Sequence, residues 1–98
     1  MKANALIHRR VVLAKDAFAE VIVLRVEQSV PPSKHDFRYR LGYVVAGECV
    51  LRYDNEGGKG DHRHVGSVET PYAFTTPDQL MADFSADIKR WNHEHRRS

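Results

Sequence analysis

The sequence predicts an α+β fold: an antiparallel sheet of four to five strands with one C-terminal helix packed on a face. Three observations lead there. Segments rich in β-branched and aromatic residues, broken by turn chemistry, occupy about 4–74. One stretch alone, from Thr76 to Trp91, combines a helix-start signal with helical periodicity. The chain has 98 residues, of which 42% are hydrophobic, enough for one modest core. A single domain over 1–98 is expected, with the helix at about 77–92 and a basic tail at 93–98.

The first strand spans about 4–15 and ends in the β-branched pair Val11 and Val12. Lys15 and Asp16 interrupt it as a turn. Residues 18–27 (FAEVIVLRVE) are the most strand-like segment, and apolar groups on both parities suit an interior strand. Pro31 and Pro32 end that run, because proline cannot donate to a ladder. From Arg38 to Val45, Tyr39, Leu41, Tyr43 and Val45 share one face, while Arg38, Arg40 and Gly42 share the other. Ala46-Gly47 signals a two-residue hairpin, and Glu48 to Asp54 returns. Cys49, Leu51 and Tyr53 should share a face, with Arg52 opposite. His64 to Val68 reads as one short strand, and Pro71 to Phe74 as an irregular edge.

Thr76 begins the helix as N-cap, with Pro77 at the first position and Gln79 completing a capping box. Leu80, Phe84, Ile88 and Trp91 form the apolar stripe. Asp78 near the start and Lys89 and Arg90 toward the end complement the helix dipole. The face carrying Asp83, Asp87 and Lys89 should meet water.

Composition narrows the function classes. Charged residues make up 29% with mixed signs, and the net charge is +2, which permits an anionic partner such as RNA without demanding one. The lone cysteine, Cys49, excludes an internal disulfide, and its apolar surroundings read as a buried thiol. No run approaches a membrane span, and no signal-peptide pattern is present, so a cytoplasmic protein is expected.

The stretch RYDNEGGKGDHRHVG, from Arg52 to Gly66, is the densest in proton-transferring groups. In an extended chain His62 and His64 project to one side and Asp61 and Arg63 to the other. Two imidazoles at one site suit general acid–base work near neutral pH. Lys59 or Arg63 could stabilise an anionic phosphorane, and Gly57, Gly58 and Gly60 offer backbone donors to phosphate. Arg38, Arg40 and Arg52 could hold a phosphate backbone, or pair with Glu20 or Glu48 on a solvated face. These parts suit metal-free RNA cleavage by the ribose 2′-hydroxyl. A solvated glycine-rich turn is the plain alternative. A triphosphate loop is excluded, because Lys59 is followed by Gly60 and no helix starts there. The H-x-H pair could ligate a metal, but spacing selects no third ligand, so neither a metal nor any other cofactor is assigned.

In HRRVVL, YRLGYVV, VLRYDNEGGKGDHRH and PYAFTTPDQLMADF the chain resembles the TumE-type toxins of prokaryotic toxin–antitoxin modules. The histidine block is the most specific part, marking Arg52, Tyr53, Asp54, Asn55, Lys59, Gly60, Asp61, His62, Arg63 and His64. The resemblance implies a small cytoplasmic toxin silenced by a cognate antitoxin, and ribonuclease action is the natural inference from it. The expected roles are His62 and His64 as acid and base, Lys59 and Arg63 on phosphate, and Asp61 orienting an imidazole or pairing with Arg63. Arg52, Arg38, Arg40, Gly58 and Gly60 would bind substrate. A non-catalytic RNA- or protein-binding module and a metal-dependent nuclease or hydrolase are the alternatives. A homodimer is left open by the apolar groups on both faces of residues 18–27.

Overall fold

The computed structural model describes residues 3–27, 29, 31–56, 58 and 60–97. Six strands and one helix follow in chain order: β1 (Ala3–Ala14), β2 (Ala17–Val26), β3 (Phe37–Val45), β4 (Glu48–Asp54), β5 (His62–Val65), β6 (Val68–Pro71) and α1 (Pro77–Glu94). Each strand pairs antiparallel with the next, giving the sheet order β1-β2-β3-β4-β5-β6. The expected α+β class holds, but with six strands rather than four to five. The segment expected as one strand, His64 to Val68, turns at Gly66 and Ser67, so its two ends belong to a hairpin. Gly66 takes a φ of +60°, which a tight turn needs and glycine supplies without strain.

The alternation of side chains gives the sheet two unlike faces. Val21, Val23, Tyr39, Leu41, Tyr43, Leu51 and Tyr53 are buried on one, and Leu80 and Phe84 of α1 pack on it. The rings meet edge to face: Tyr53 against Phe84 at 5.8 Å and Tyr43 against Trp91 at 5.9 Å. Each core phenol also finds an acceptor, Tyr39 on Asp61, Tyr43 on Asn92 and Tyr53 on Asp87. The tyrosines thus fill the core while their hydroxyls fasten it at its rim.

Ala46 and Gly47 form the expected turn, both at positive φ (51° and 79°), the geometry that matches strand twist in a two-residue hairpin. One residue later the pattern breaks. Tyr43 pairs with Leu51 but Val44 pairs with Cys49, which leaves Val50 as an extra residue. This bulge reverses the parity of everything before it in β4. Leu51 and Tyr53 stay in the core, whereas Cys49 is exposed on the opposite face and not buried as its neighbours suggested.

The helix starts as its sequence predicts: Thr76 Oγ1 accepts the Gln79 backbone N–H at 3.1 Å. The reciprocal half of the capping box is missing, because the Gln79 amide donates to Asp83 at 2.8 Å. The helix runs to Glu94, two residues beyond the expected end.

Asp87 does not meet water. It is buried, and its Oδ2 accepts from the Tyr53 hydroxyl at 2.5 Å and from Arg63 Nε at 2.7 Å, while Oδ1 accepts from Arg63 Nη2 at 3.2 Å. Asp83 likewise accepts from Tyr72, at 2.6 Å. The supposed water face of α1 is therefore partly its docking face. Burial works against the charge of Arg63, but Asp87 holds it further into its protonated range. Burial, then Asp87, push the Tyr53 phenol above its ordinary range, so it stays a donor.

Removing Asp87 leaves the buried Tyr53 hydroxyl without its acceptor, while Arg63, 30% exposed, can still reach water. Asp87→Ala should lower the unfolding free energy by about 2–3 kcal/mol, whereas Asp78→Ala in the exposed first turn should cost at most about 1 kcal/mol. Urea denaturation of both variants checks this, and equal losses would contradict the clamp.

Candidate functional site

The face of the sheet turned away from α1 carries the histidines. Residues paired across an antiparallel ladder point the same way. Arg52 pairs with His64 and His64 with Glu69; Arg40 pairs with Asp54 and Asp54 with His62. Two polar rows therefore lie on the open face, one across β4 to β6 and one across β3 to β5. Between them, Tyr53 and Arg63 form a row directed to the helix. The expected parity is observed: His62 and His64 share a side, their ring centroids 5.1 Å apart, and Asp61 and Arg63 lie on the other.

His62 is held at both nitrogens. Its Nδ1 lies 2.9 Å from the Gly60 carbonyl oxygen and its Nε2 2.7 Å from Asp54 Oδ1, with 8% of the side chain exposed. Both neighbours are acceptors, so a ring protonated only at Nδ1 would aim its lone pair at a carboxylate. His64 is more accessible, with 22% of its side chain exposed, and its Nε2 lies 2.8 Å from Glu69 Oε2 and 3.0 Å from Arg52 Nη2. One nitrogen cannot donate to Glu69 and accept from Arg52 at once. Arg52 Nε lies 3.1 Å from Asp54 Oδ2 but is buried without an aligned hydrogen bond among the described residues. His62, His64 and Glu69 have ligand atoms within 4.8 Å of one another and could hold an ion.

Gly60 allows this arrangement. Its φ is +78°, and a Cβ there would stand 3.1 Å from Pro32 Cγ. Only glycine turns the chain there without strain so that its carbonyl meets the His62 ring. Gly58 is exposed, with a φ of +74°. Gly57 and Lys59, the latter expected to hold phosphate, lie outside the described residues.

Asp61 orients an imidazole, but it is that of His35. Its carboxylate accepts from the Ser33 hydroxyl, from Tyr39 OH at 2.7 Å and from His35 Nε2 at 2.7 Å. His35 Nδ1 accepts the Phe37 N–H at 3.2 Å, and the ring stacks on Phe74 at 3.9 Å. This is a fully satisfied cluster that pins the β2–β3 loop to the start of β5. Asp61 touches neither His62 nor His64 and makes no pair with Arg63, which is committed to Asp87.

The three arginines share the open face but not one environment. Arg38 pairs with Glu56 at 3.2 Å rather than with Glu20 or Glu48. Arg52 stands beside His64, and Arg40 is exposed with no ion-pair partner among the described residues. Arg40 and Arg52 flank a groove of about 220 Å³ floored by Phe18, Ile22, Gly42 and Val44. Asp54 and Glu69 complete the site: Asp54 is marked in the histidine block but was given no role there, and Glu69 was not singled out from sequence. The Gly66-Ser67 turn is the signal that would have placed Glu69 opposite His64.

A family model described as Toxin TumE matches residues 3–92. No curated protein and no solved structure matches. No helix among the described residues is long and apolar enough to cross a membrane.

Burial alone would raise the Asp61 carboxyl, but the bonds from Ser33, Tyr39 and His35 outweigh it and hold the group below the usual carboxylate range. A carboxyl depressed in the folded state stabilises above its unfolded pKa of about 4; that contribution is lost as pH falls toward the lower folded value. Unfolding free energy measured from pH 6 down to pH 3 should therefore fall less steeply for Asp61→Asn than for the parent chain. Identical slopes would contradict the assignment.

Proposed function

We infer an action on RNA from two premises: the chain belongs to the TumE toxin family, and its open sheet face gathers His62, His64 and Arg52 around one small site. The toxin would work in the cytoplasm beside a cognate antitoxin that silences it. The observation that carries the chemistry is the pair of imidazoles 5.1 Å apart, one partly exposed and one buried between two acceptors. Their unlike surroundings suit unlike proton states, as acid–base catalysis needs.

In this reading the scissile phosphate lies over β4 and β5. Arg52 and Arg40 hold its oxygens, and a guanidinium beside the reacting phosphorus stabilises the extra negative charge of the phosphorane. His64 takes the proton of the ribose 2′-hydroxyl as the 2′-oxygen bonds to phosphorus. The bond from phosphorus to the 5′-oxygen breaks, and that oxygen takes a proton from the His62 imidazolium. The products are a 2′,3′-cyclic phosphate and a free 5′-hydroxyl. The apolar groove floor beside Arg40 suits a nucleobase next to the cleaved link. Asp61 and Arg63, expected as catalytic, act in this reading as positioning residues: Asp61 fixes the loop that precedes β5, and Arg63 fixes the parity of β5. Lys59 retains the phosphate role read from the sequence.

Purified protein incubated with RNA in the presence of a chelator should release fragments ending in cyclic phosphate. His64→Ala, and His62→Ala where it folds, should lower the rate by about 10²–10⁴-fold, the range for loss of a general acid or base. Cleavage abolished by the chelator, or unchanged in His64→Ala, would sink this mechanism.

A further inference from the structure

We propose that His62, His64 and Glu69 form a binding site for a divalent ion of the zinc class, with the Asp54 carboxylate beside the His62 ring. The proposal begins from the His62 ring. Its Nδ1 faces the Gly60 carbonyl at 2.9 Å, the outer-shell hydrogen bond that fixes a ligating histidine with its Nε2 lone pair outward. That Nε2 faces carboxylates, Asp54 Oδ1 at 2.7 Å and Glu69 Oε2 at 3.7 Å. His64 Nε2 meets the same Glu69 oxygen at 2.8 Å. All three ligand atoms of His62, His64 and Glu69 lie within 4.8 Å of one another. With bonds of about 2.0–2.2 Å, two ligands of one zinc ion stand about 3–4 Å apart, so small side-chain rotations close the set.

The chemistry of the donors selects the ion. Two imidazoles with carboxylates suit zinc, cobalt, nickel or copper, whereas magnesium prefers oxygen ligands and keeps its water. Two carboxylates, Asp54 and Glu69, offset part of the ion's charge. Arg52 opposes it from 3.0 Å beyond His64 Nε2, but its Nε already leans on Asp54 Oδ2 at 3.1 Å. The ligands come from the adjacent paired strands β5 and β6, a rigid base that needs no loop to close. A bound ion occupies both imidazole nitrogens that proton transfer uses. On the RNA-cleavage reading, and resting on it, zinc is therefore an inhibitor of this toxin. The binding itself does not depend on that reading.

Calorimetric titration of the metal-free full chain with zinc chloride, in excess magnesium, tests the site without RNA. One equivalent of zinc should bind and raise the thermal midpoint. His64→Ala and Glu69→Gln alter side chains that are 22% and 35% exposed, so the fold should survive, and thermal melting verifies it. Each should weaken binding by at least the ~10–100-fold seen for loss of an outer-shell partner. His95→Ala, on the exposed helix end, should bind as the parent does. The absence of saturable zinc binding would overturn the proposal. So would a folded His64→Ala that binds like the parent chain, since the ion would then sit on other histidines.

Discussion

The contact of Asp87 with Arg63 and Tyr53 fixes the half of this molecule that carries His62 and His64. A strand of four residues has little register of its own, and a slip by one position would invert both of its faces. Arg63 removes that freedom. Anchored to the helix on one side of β5, it commits His62 and His64 to the other. Tyr53, its cross-strand partner, shares the same carboxylate, so β4 and β5 are referenced to one point on α1. A charge is costly to bury, and two donors converging on Asp87 offset that cost only in one arrangement. The clamp therefore sets orientation as well as stability.

A second constraint reaches the same histidines from the loop side. Asp61 gathers Ser33, His35 and Tyr39, and so ties the β2–β3 loop to the residue before β5. One residue earlier, Gly60 turns its carbonyl to His62. Gly60 shapes the backbone before β5, and Asp61, His62, Arg63 and His64 divide by parity. Those facing the helix hold structure, and those facing away are available to a ligand. Among the described residues α1 covers one side of the sheet, and the other gathers the imidazoles with Arg40, Arg52, Asp54 and Glu69.

Local features were legible in the sequence, and long-range ones were not. The helix start, the Ala46-Gly47 hairpin, the tyrosine face and the parity of the histidines follow from spacing and turn chemistry within a few residues. Asp87 was misread because a carboxylate among helix charges normally meets water, and its partners lie 24 and 34 residues away. Cys49 was misplaced because the Val50 bulge, one extra residue, has no mark in the local sequence and reverses the parity of what precedes it. The sixth strand was missed at Gly66-Ser67, and with it Glu69. Asp61 and Arg63 were rightly placed opposite the histidines. Their partners, His35 and Asp87, could be found only once the strands were set side by side.

The central claim is that function resides in the open-face histidines and not in the loop charges as a group. Growth of cells expressing the chain without its antitoxin tests it most directly, with the parent compared to His64→Ala at equal abundance and equal thermal midpoint. The predicted result is arrest by the parent and normal growth with His64→Ala. Full arrest by a folded His64→Ala would contradict it.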